Sequence, residues 1–176
     1  KKILVLEAGG GDFRPDIKVP IGYGVSFFNP DVNWCYYTEN QKNLFDRSLY
    51  VPRGKVVGGS ASINAMVYVR GQKGDYDDWS KFSDAGFDWD TVRSTFACLE
   101  GGDSDLEHPS ISVSDVSDQH EDVVKNFIKA GKLIGFNELK NMNGAVSEGI
   151  GHYPITTKMG LRWTSADAFL KPAIRA

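Results

Sequence analysis

The chain opens on a run that leaves few architectures open. Ile3-Leu4-Val5-Leu6 is uninterrupted apolar sequence, and Glu7-Ala8-Gly9-Gly10-Gly11 closes it at once. A short apolar run bounded by glycines fits a strand buried on both faces, as in a parallel sheet covered by helices. Such a strand needs neighbours on either side and only two lysines precede it, so the sequence is expected to be a piece of a larger fold. One buried strand, a later glycine-rich turn and segregated helical stretches predict an α/β chain with a second, partly β layer.

Composition then removes whole classes of function. With 41% hydrophobic and 24% charged residues in 176, the chain has ordinary globular usage and length enough for a sizeable core. Twenty Lys plus Arg against 23 Asp plus Glu gives a net charge of −3, which supplies no basic excess for neutralising nucleic-acid phosphates. Cys35 and Cys98 are the two cysteines, too few and too far apart for a metal knuckle or a disulfide framework. No metal site is expected, and a reducing, cytoplasmic compartment is the default address. No apolar run approaches the roughly 18 residues that a spanning helix needs, and no signal-peptide order is visible at the start.

Local signals place the elements. Residues 12–43 are rich in Gly, Pro, Asn and aromatics, which predicts loop with short pieces of structure. Residues 48–51 read as a strand stopped by Pro52, and residues 60–68 as a helix capped by Ser60 or Ser62. Helices are expected over residues 75–82 and 89–99; in the second, Val92, Phe96 and Leu99 recur at i, i+4 and i+7, and Asp88 or Asp90 can cap it. Residues 111–114 alternate as a short strand. The clearest amphipathic helix spans residues 121–134, with Val123, Val124, Phe127, Ile128 and Leu133 expected inside and Gly135 as its stop. Residues 152–157 alternate as a strand, and a short helix over 164–170 is expected to end at Pro172.

Two places can carry chemistry. Glu7 ends an apolar run beside small residues, where a carboxylate can accept hydrogen bonds from the two hydroxyls of a ribose; an ordinary solvated Glu satisfies the same pattern. Gly54 and Gly59 have the spacing of a phosphate loop, but Ser60-Ala61 stands where Lys and Ser or Thr are required. What is left is a glycine pair opening a helix, able either to face an anion or to pack as a tight interior turn. Trp34, Tyr36 and Tyr37 read as core packing or a stacking pair, with a face toward a cofactor or substrate as the alternative. Asp75, Asp77, Asp78 and Asp84 lack calcium-loop spacing and read as solvated surface.

Taken whole, Arg53-Gly54-Lys55-Val56-Val57-Gly58-Gly59-Ser60-Ala61-Ser62-Ile63-Asn64-Ala65-Met66-Val67-Tyr68-Val69-Arg70-Gly71, with Asp75-Tyr76-Asp77-Asp78-Trp79 after it, closely resembles the signature of the glucose-methanol-choline (GMC) oxidoreductases, FAD enzymes that oxidise alcohols. Val5-Leu6-Glu7-Ala8-Gly9, Asn33-Trp34, Tyr37-Thr38-Glu39, Gly86-Phe87-Asp88-Trp89, Asn143-Gly144 and Arg162-Trp163-Thr164-Ser165-Ala166 extend the likeness along nearly the whole chain.

The resemblance implies an incomplete FAD-binding, Rossmann-like parallel-sheet domain over residues 1–105, the start of an α+β substrate-binding part over 106–160, and a return toward the FAD domain over 161–176. It implies that Glu7 holds the adenosine ribose. Gly58, Gly59 and Ser60 would lie along the pyrophosphate and ribityl chain, with Val56 lining it, and Asn64, Ala65, Met66 and Val67 would pass the isoalloxazine edge. Donors there stabilise the negative charge that a flavin gains with a hydride.

Ile63 stands where some relatives, choline oxidase among them, carry the His that bonds FAD covalently, so non-covalent FAD is expected. Ala61 replaces a small hydroxyl or Gly. The implied activity is oxidation of an alcohol CH–OH to aldehyde or ketone by hydride transfer to flavin, choline dehydrogenase-like, with a small-molecule alcohol as substrate and oxygen or a quinone-like compound as acceptor. A lyase or decarboxylase of the same family and a non-catalytic remnant are the alternatives. No catalytic residue is expected in the segment, which by itself is expected to be inactive. His108, His120 and His152 lie in polar or turn-flanked sequence and read as surface or structural, and the base is expected from the remainder of the chain.

Overall fold

The structure is a computed structural model that describes residues 2–82, 86–101, 110–144 and 148–175. His108 and Asp84, named above, lie outside the described residues. The chain divides into two compact units, residues 1–66 with 157–176, and residues 67–156.

In the first unit the opening run forms no strand, and Ile3, Leu4 and Leu6 are more than 80% exposed. The expected burial of this strand is therefore corrected: no strand among the described residues lies beside it. Backbone pairing begins at Gly10, which pairs in parallel with Val56, the Val57 amide donating to the Gly10 carbonyl at 2.9 Å. On the far side of Val56 the chain runs antiparallel to residues 32–34, with Lys55 N–H donating to the Val32 carbonyl and Trp34 N–H to the Arg53 carbonyl.

Helix α1 (Pro15–Lys18), with Pro at its first position where no N–H is needed, and helix α2 (Tyr23–Ser26) follow the opening segment. Strands β1 (Tyr36–Tyr37) and β2 (Tyr50–Val51) pair antiparallel. Ile17, Val32, Val56 and Ile63 form the buried core of this unit. Asn33 is buried among them and fully satisfied: its amide donates to the Phe27 carbonyl and the Tyr50 hydroxyl, and its oxygen accepts from the amides of Cys35 and Arg53. Trp34 and Tyr36 stack 5.8 Å apart yet remain over 40% exposed, so the aromatic cluster is a surface stack rather than core.

In the second unit, helix α3 (Lys73–Ser80) starts two residues earlier than its sequence signal, with Asp75 accepting from the Gln72 amide at its N-terminus. Helix α4 (Trp89–Leu99) has the predicted bounds and cap: Asp88 accepts from the Thr91 amide at 3.0 Å. Its Val92, Phe96 and Leu99 are half-buried, as is Trp89 at its start, with Phe96 packing edge-on to Tyr76. Helix α5 (Asp122–Leu133) packs on β4 (Ile150–Gly151), which pairs in parallel with β3 (Glu138–Leu139); Gly131 lies against Ile150, and Ile128 is the buried apolar side chain of the helix. Val123, Phe127 and Leu133 face outward instead of inward, because the apolar stripe is wider than the edge that β4 covers. The strand expected over 111–114 reduces to one bridge, Ser114 with Ile155, and Ile155 also pairs with Val67.

One polar cluster ties the second unit together. Glu100 accepts from the Tyr68 hydroxyl at 2.5 Å and from Arg70 through two nitrogens, and both ionic side chains are about 20% exposed. Burial, reinforced by the Glu100 carboxylate, pushes the Tyr68 phenol up to about 12. Glu100→Gln is expected to lower stability by about 2 kcal/mol, the range for hydrogen bonds to charged groups, and to bring the Tyr68 titration part of the way back, since the burial persists. Thermal unfolding and ultraviolet titration of the phenol measure the two effects.

After residue 156 the chain returns to the first unit. Strands β5 (Thr157–Lys158) and β6 (Leu161–Arg162) form a hairpin whose two central residues, Met159 and Gly160, both have positive φ, the geometry that matches strand twist. A π-turn over Ala166–Leu170 leads into helix α6 (Lys171–Arg175). Pro172 was expected to end the helix here, but the π-turn runs directly into α6 and Pro172 lies inside the continuous helical segment.

No helix among the described residues is long and apolar enough to cross a membrane.

Candidate functional site

Most of the residues singled out by the sequence fall in the first unit, around the contact between residues 9–10 and 55–59. That contact depends on a missing side chain. A Cβ on Gly9 would stand 1.8 Å from the Lys55 carbonyl oxygen and 2.5 Å from the Val56 nitrogen, so the two backbones meet only because residue 9 has none. Glu7, just before it, is exposed, and its carboxylate accepts from the Gly9 amide at 2.8 Å. The segment of Glu7 and the segment of Gly58 to Ser60 are thus joined on adjoining backbones.

The glycine pair adopts left-handed backbone at both residues, φ +91° at Gly58 and +58° at Gly59. A Cβ on Gly58 would press on the Ser62 hydroxyl at 2.5 Å, whereas at Gly59 the added carbon would meet open space. Gly58 is therefore closed in by the protein and Gly59 is the face left free for something else.

The helix expected over residues 60–68 is corrected to a single 3-10 turn, Gly59–Ser62. It stops because Ile63 leaves helical ψ and Met66 takes φ +64°, backbone breaks that hydrophobic spacing does not reveal. So short a turn has no useful macrodipole. Neither serine caps it: the Ser60 hydroxyl accepts from the Gly54 amide, and the Ser62 hydroxyl donates to the Val57 carbonyl.

Side chains sort by direction. Val56 and Ile63 are core, 0% and 2% exposed, so Val56 offers backbone alone and Ile63 turns away from any outward face. Met66 is buried too, while Asn64 and Ala65 are exposed. Val67 falls in the second unit, half exposed and paired with Ile155. His120 and His152, also in that unit, stack 4.4 Å apart. No group of three or more metal-ligating side chains occurs among the described residues.

Arg162 is the residue that the sequence alone left unassigned. It is 1% exposed, and no carboxylate among the described residues pairs with it. Its Nε donates to the Ile17 carbonyl at 2.8 Å, and its Nη1 to the Ala61 carbonyl and to the Asn64 side-chain oxygen, the latter at 2.8 Å. Its Nη2 has no hydrogen-bond partner. Burial lowers its pKa to about 10, which still leaves it charged at neutral pH. Partners 98 to 145 positions away in the chain explain why no local pattern announces it.

The GMC oxidoreductase family model matches residues 32–176. The alcohol dehydrogenase [acceptor] of Pseudomonas putida is 38% identical over 180 residues, covering 99% of this chain and 32% of its own length. The oxygen-dependent choline dehydrogenase of Rhizobium etli is 37% identical over 177 residues, again with 98% of this chain and 32% of the relative covered. This chain therefore spans about a third of the length of the curated relatives it matches. Among solved structures, pyridoxine 4-oxidase from Mesorbium loti superimposes with a TM-score of 0.84 at 28% identity, over 97% of this chain and 34% of that one. Formate oxidase shares the fold at a TM-score of 0.73 and 24% identity. With glycines 9, 58 and 59 held as described and a family match over most of its residues, the chain belongs to the GMC oxidoreductases, a family of FAD-dependent enzymes.

Proposed function

We propose that this chain forms part of an FAD-dependent enzyme that oxidises an alcohol CH–OH group to an aldehyde or ketone, and that its first unit holds the FAD without a covalent bond as the opening portion of a Rossmann-like domain. One observation carries the assignment: Gly9 and Gly58 are positions where a Cβ would strike the protein itself, while Gly59 beside them opens on free space. The open backbone face at Gly59, beside these close contacts, supports close approach by an extended ligand. An exposed carboxylate at Glu7 suits the hydroxyls of a ribose, and its charge would disfavour a 2′-phosphate there.

Glu7 and Gly58 to Ser60 would hold the nucleotide and ribityl portions, with Val56 contributing only its backbone. Asn64, Ala65 and Met66 would lie along the ring system. Bound FAD supplies the hydride acceptor for alcohol oxidation. The chain's own task is to fix that acceptor and to keep donors beside it. Residues 161–176 return to the same unit as residues 1–66, which supports counting them with the FAD-binding part. Neither His120 nor His152 is assigned the proton-accepting role, which falls to the remainder of the same polypeptide.

The test is a visible spectrum of the full-length protein, followed by acid precipitation. Flavin absorbance in the native protein and yellow colour in the acid supernatant are expected, since Ile63 offers no nucleophile. Colour retained in the pellet contradicts non-covalent binding, and a colourless protein that takes up no FAD contradicts the whole assignment. Anaerobic addition of a small alcohol is expected to bleach the bound flavin; persistent yellow colour with every alcohol would point to a lyase or decarboxylase instead.

A further inference from the structure

The buried guanidinium of Arg162 can give hydrogen bonds and can accept none. Asn64 must therefore turn its side-chain oxygen toward it, and the Met66 amide donates to that same oxygen at 3.0 Å. With two donors on the oxygen, the amide cannot flip without placing its own N–H groups against two others. The Asn64 NH2 group is consequently committed to the exposed side, where the residue meets solvent. A neutral amide free to flip would offer donor or acceptor equally; this one offers a donor only.

From this geometry we infer that Arg162 is a positioning residue, which locks Asn64 as a one-way hydrogen-bond donor toward an electron-rich acceptor on the cofactor. The inference rests on the FAD reading above and adds to it a specific donor and the buried cation that orients it. Arg162 has no carboxylate partner among the described residues, so its charge is not cancelled locally and polarises the amide that it holds. A polarised donor stabilises an acceptor more as that acceptor gains negative charge. Asn64 should then favour the reduced cofactor over the oxidised one. The burial of a cation at such cost is accounted for by its neighbours: three hydrogen bonds to oxygen atoms, one of them on a side chain that faces outward.

The experiment uses the full-length flavoprotein and reads the reduction potential and FAD affinity of Arg162→Met, Arg162→Lys, Asn64→Ala and the Arg162→Met/Asn64→Ala double variant. Arg162→Met and Asn64→Ala are each expected to weaken binding of reduced FAD relative to oxidised FAD by about tenfold, a fall of about 30 mV for a two-electron couple. Arg162→Lys keeps the charge and one donor and should recover part of that loss. The double variant should be no worse than Asn64→Ala, because the cation acts through the amide.

Unchanged potentials in variants that still bind FAD overturn the inference while leaving the FAD reading intact. Additive losses in the double variant overturn it as well, since they separate the two side chains. A colourless wild-type protein removes the FAD reading and the inference together. Should Arg162→Met fail to fold, Asn64→Ala, an exposed position, and Arg162→Lys still decide the matter.

Discussion

Gly9→Ala is expected to strip the full-length protein of its flavin and to lower its stability by about 2 to 4 kcal/mol, toward the upper end of overpacking penalties. The added carbon would lie 1.8 Å from the Lys55 carbonyl oxygen and 2.1 Å from its carbon. Both are backbone atoms that no rotamer change can move aside. The opening segment must then part from Val56, and the Val57 to Gly10 hydrogen bond goes with it. Glu7 rides on that segment, so the carboxylate leaves the glycine turn at the same moment. Gly10→Ala is the control, because a Cβ there meets nothing within 4 Å, and it should change stability by well under 1 kcal/mol. Thermal unfolding and flavin-to-protein absorbance ratios check both variants. Equal behaviour of the two would mean that the contact between residues 9–10 and 55–57 has no part in holding the cofactor.

What the sequence disclosed, and what it hid, follows from the range of the interactions concerned. Helix α4 was legible to the residue because its signals are local: the Asp88 cap accepts from Thr91, three positions on, and the apolar spacing spans two turns. The glycine pair was legible as a turn for the same reason. The short 3-10 turn was not, because the break depends on left-handed backbone at Met66, a residue type that rarely adopts it. In helix α5 the periodicity correctly gave the helix but not its buried face, since among its residues Ile128 and Gly131 are the buried ones and Gly131 lies against Ile150 of β4. Periodicity reports which side is apolar, whereas burial depends on what else is present to cover it. Arg162 was furthest from reach: its quoted motif marked it as family-like, but its partners Ile17, Ala61 and Asn64 are known only once the β5–β6 hairpin has returned to the first unit.

The same return sets up the largest expected loss of stability. Lys18 donates to Asp12 at 2.7 Å and to Asp167 at 2.8 Å, and Lys171 donates to each of the same two carboxylates at 2.6 Å. Two cations and two anions thus alternate in a quartet that ties the segment before α1 to the one entering α6, with both carboxylates at most 10% exposed. Burial pushes the Asp12 and Asp167 carboxyls up, but the hydrogen bonds and charges of Lys171 and Lys18 outweigh it, and both end below the ordinary carboxylate range. Burial likewise works against the Lys171 ammonium, yet its two carboxylate partners leave it raised.

A depressed carboxyl stabilises the fold above its unfolded value of about 3.9, and a raised ammonium does so below about 10.4. The quartet's contribution is therefore complete from about pH 5 to about pH 10. It falls away in acid as pH drops from about 4 through the folded carboxyl values, and in base as pH climbs past the unfolded lysine value. Asp167→Asn removes one anion and leaves two cations sharing one carboxylate, which should cost about 3 to 5 kcal/mol at neutral pH, as when one partner of a buried pair is lost. The gap in melting temperature between wild type and variant should narrow below about pH 4, because acid neutralises in the wild type what the substitution removes. A gap that stays constant from pH 7 to pH 3 would show that Asp167 contributes through packing and its Thr164 hydrogen bonds, not through its charge.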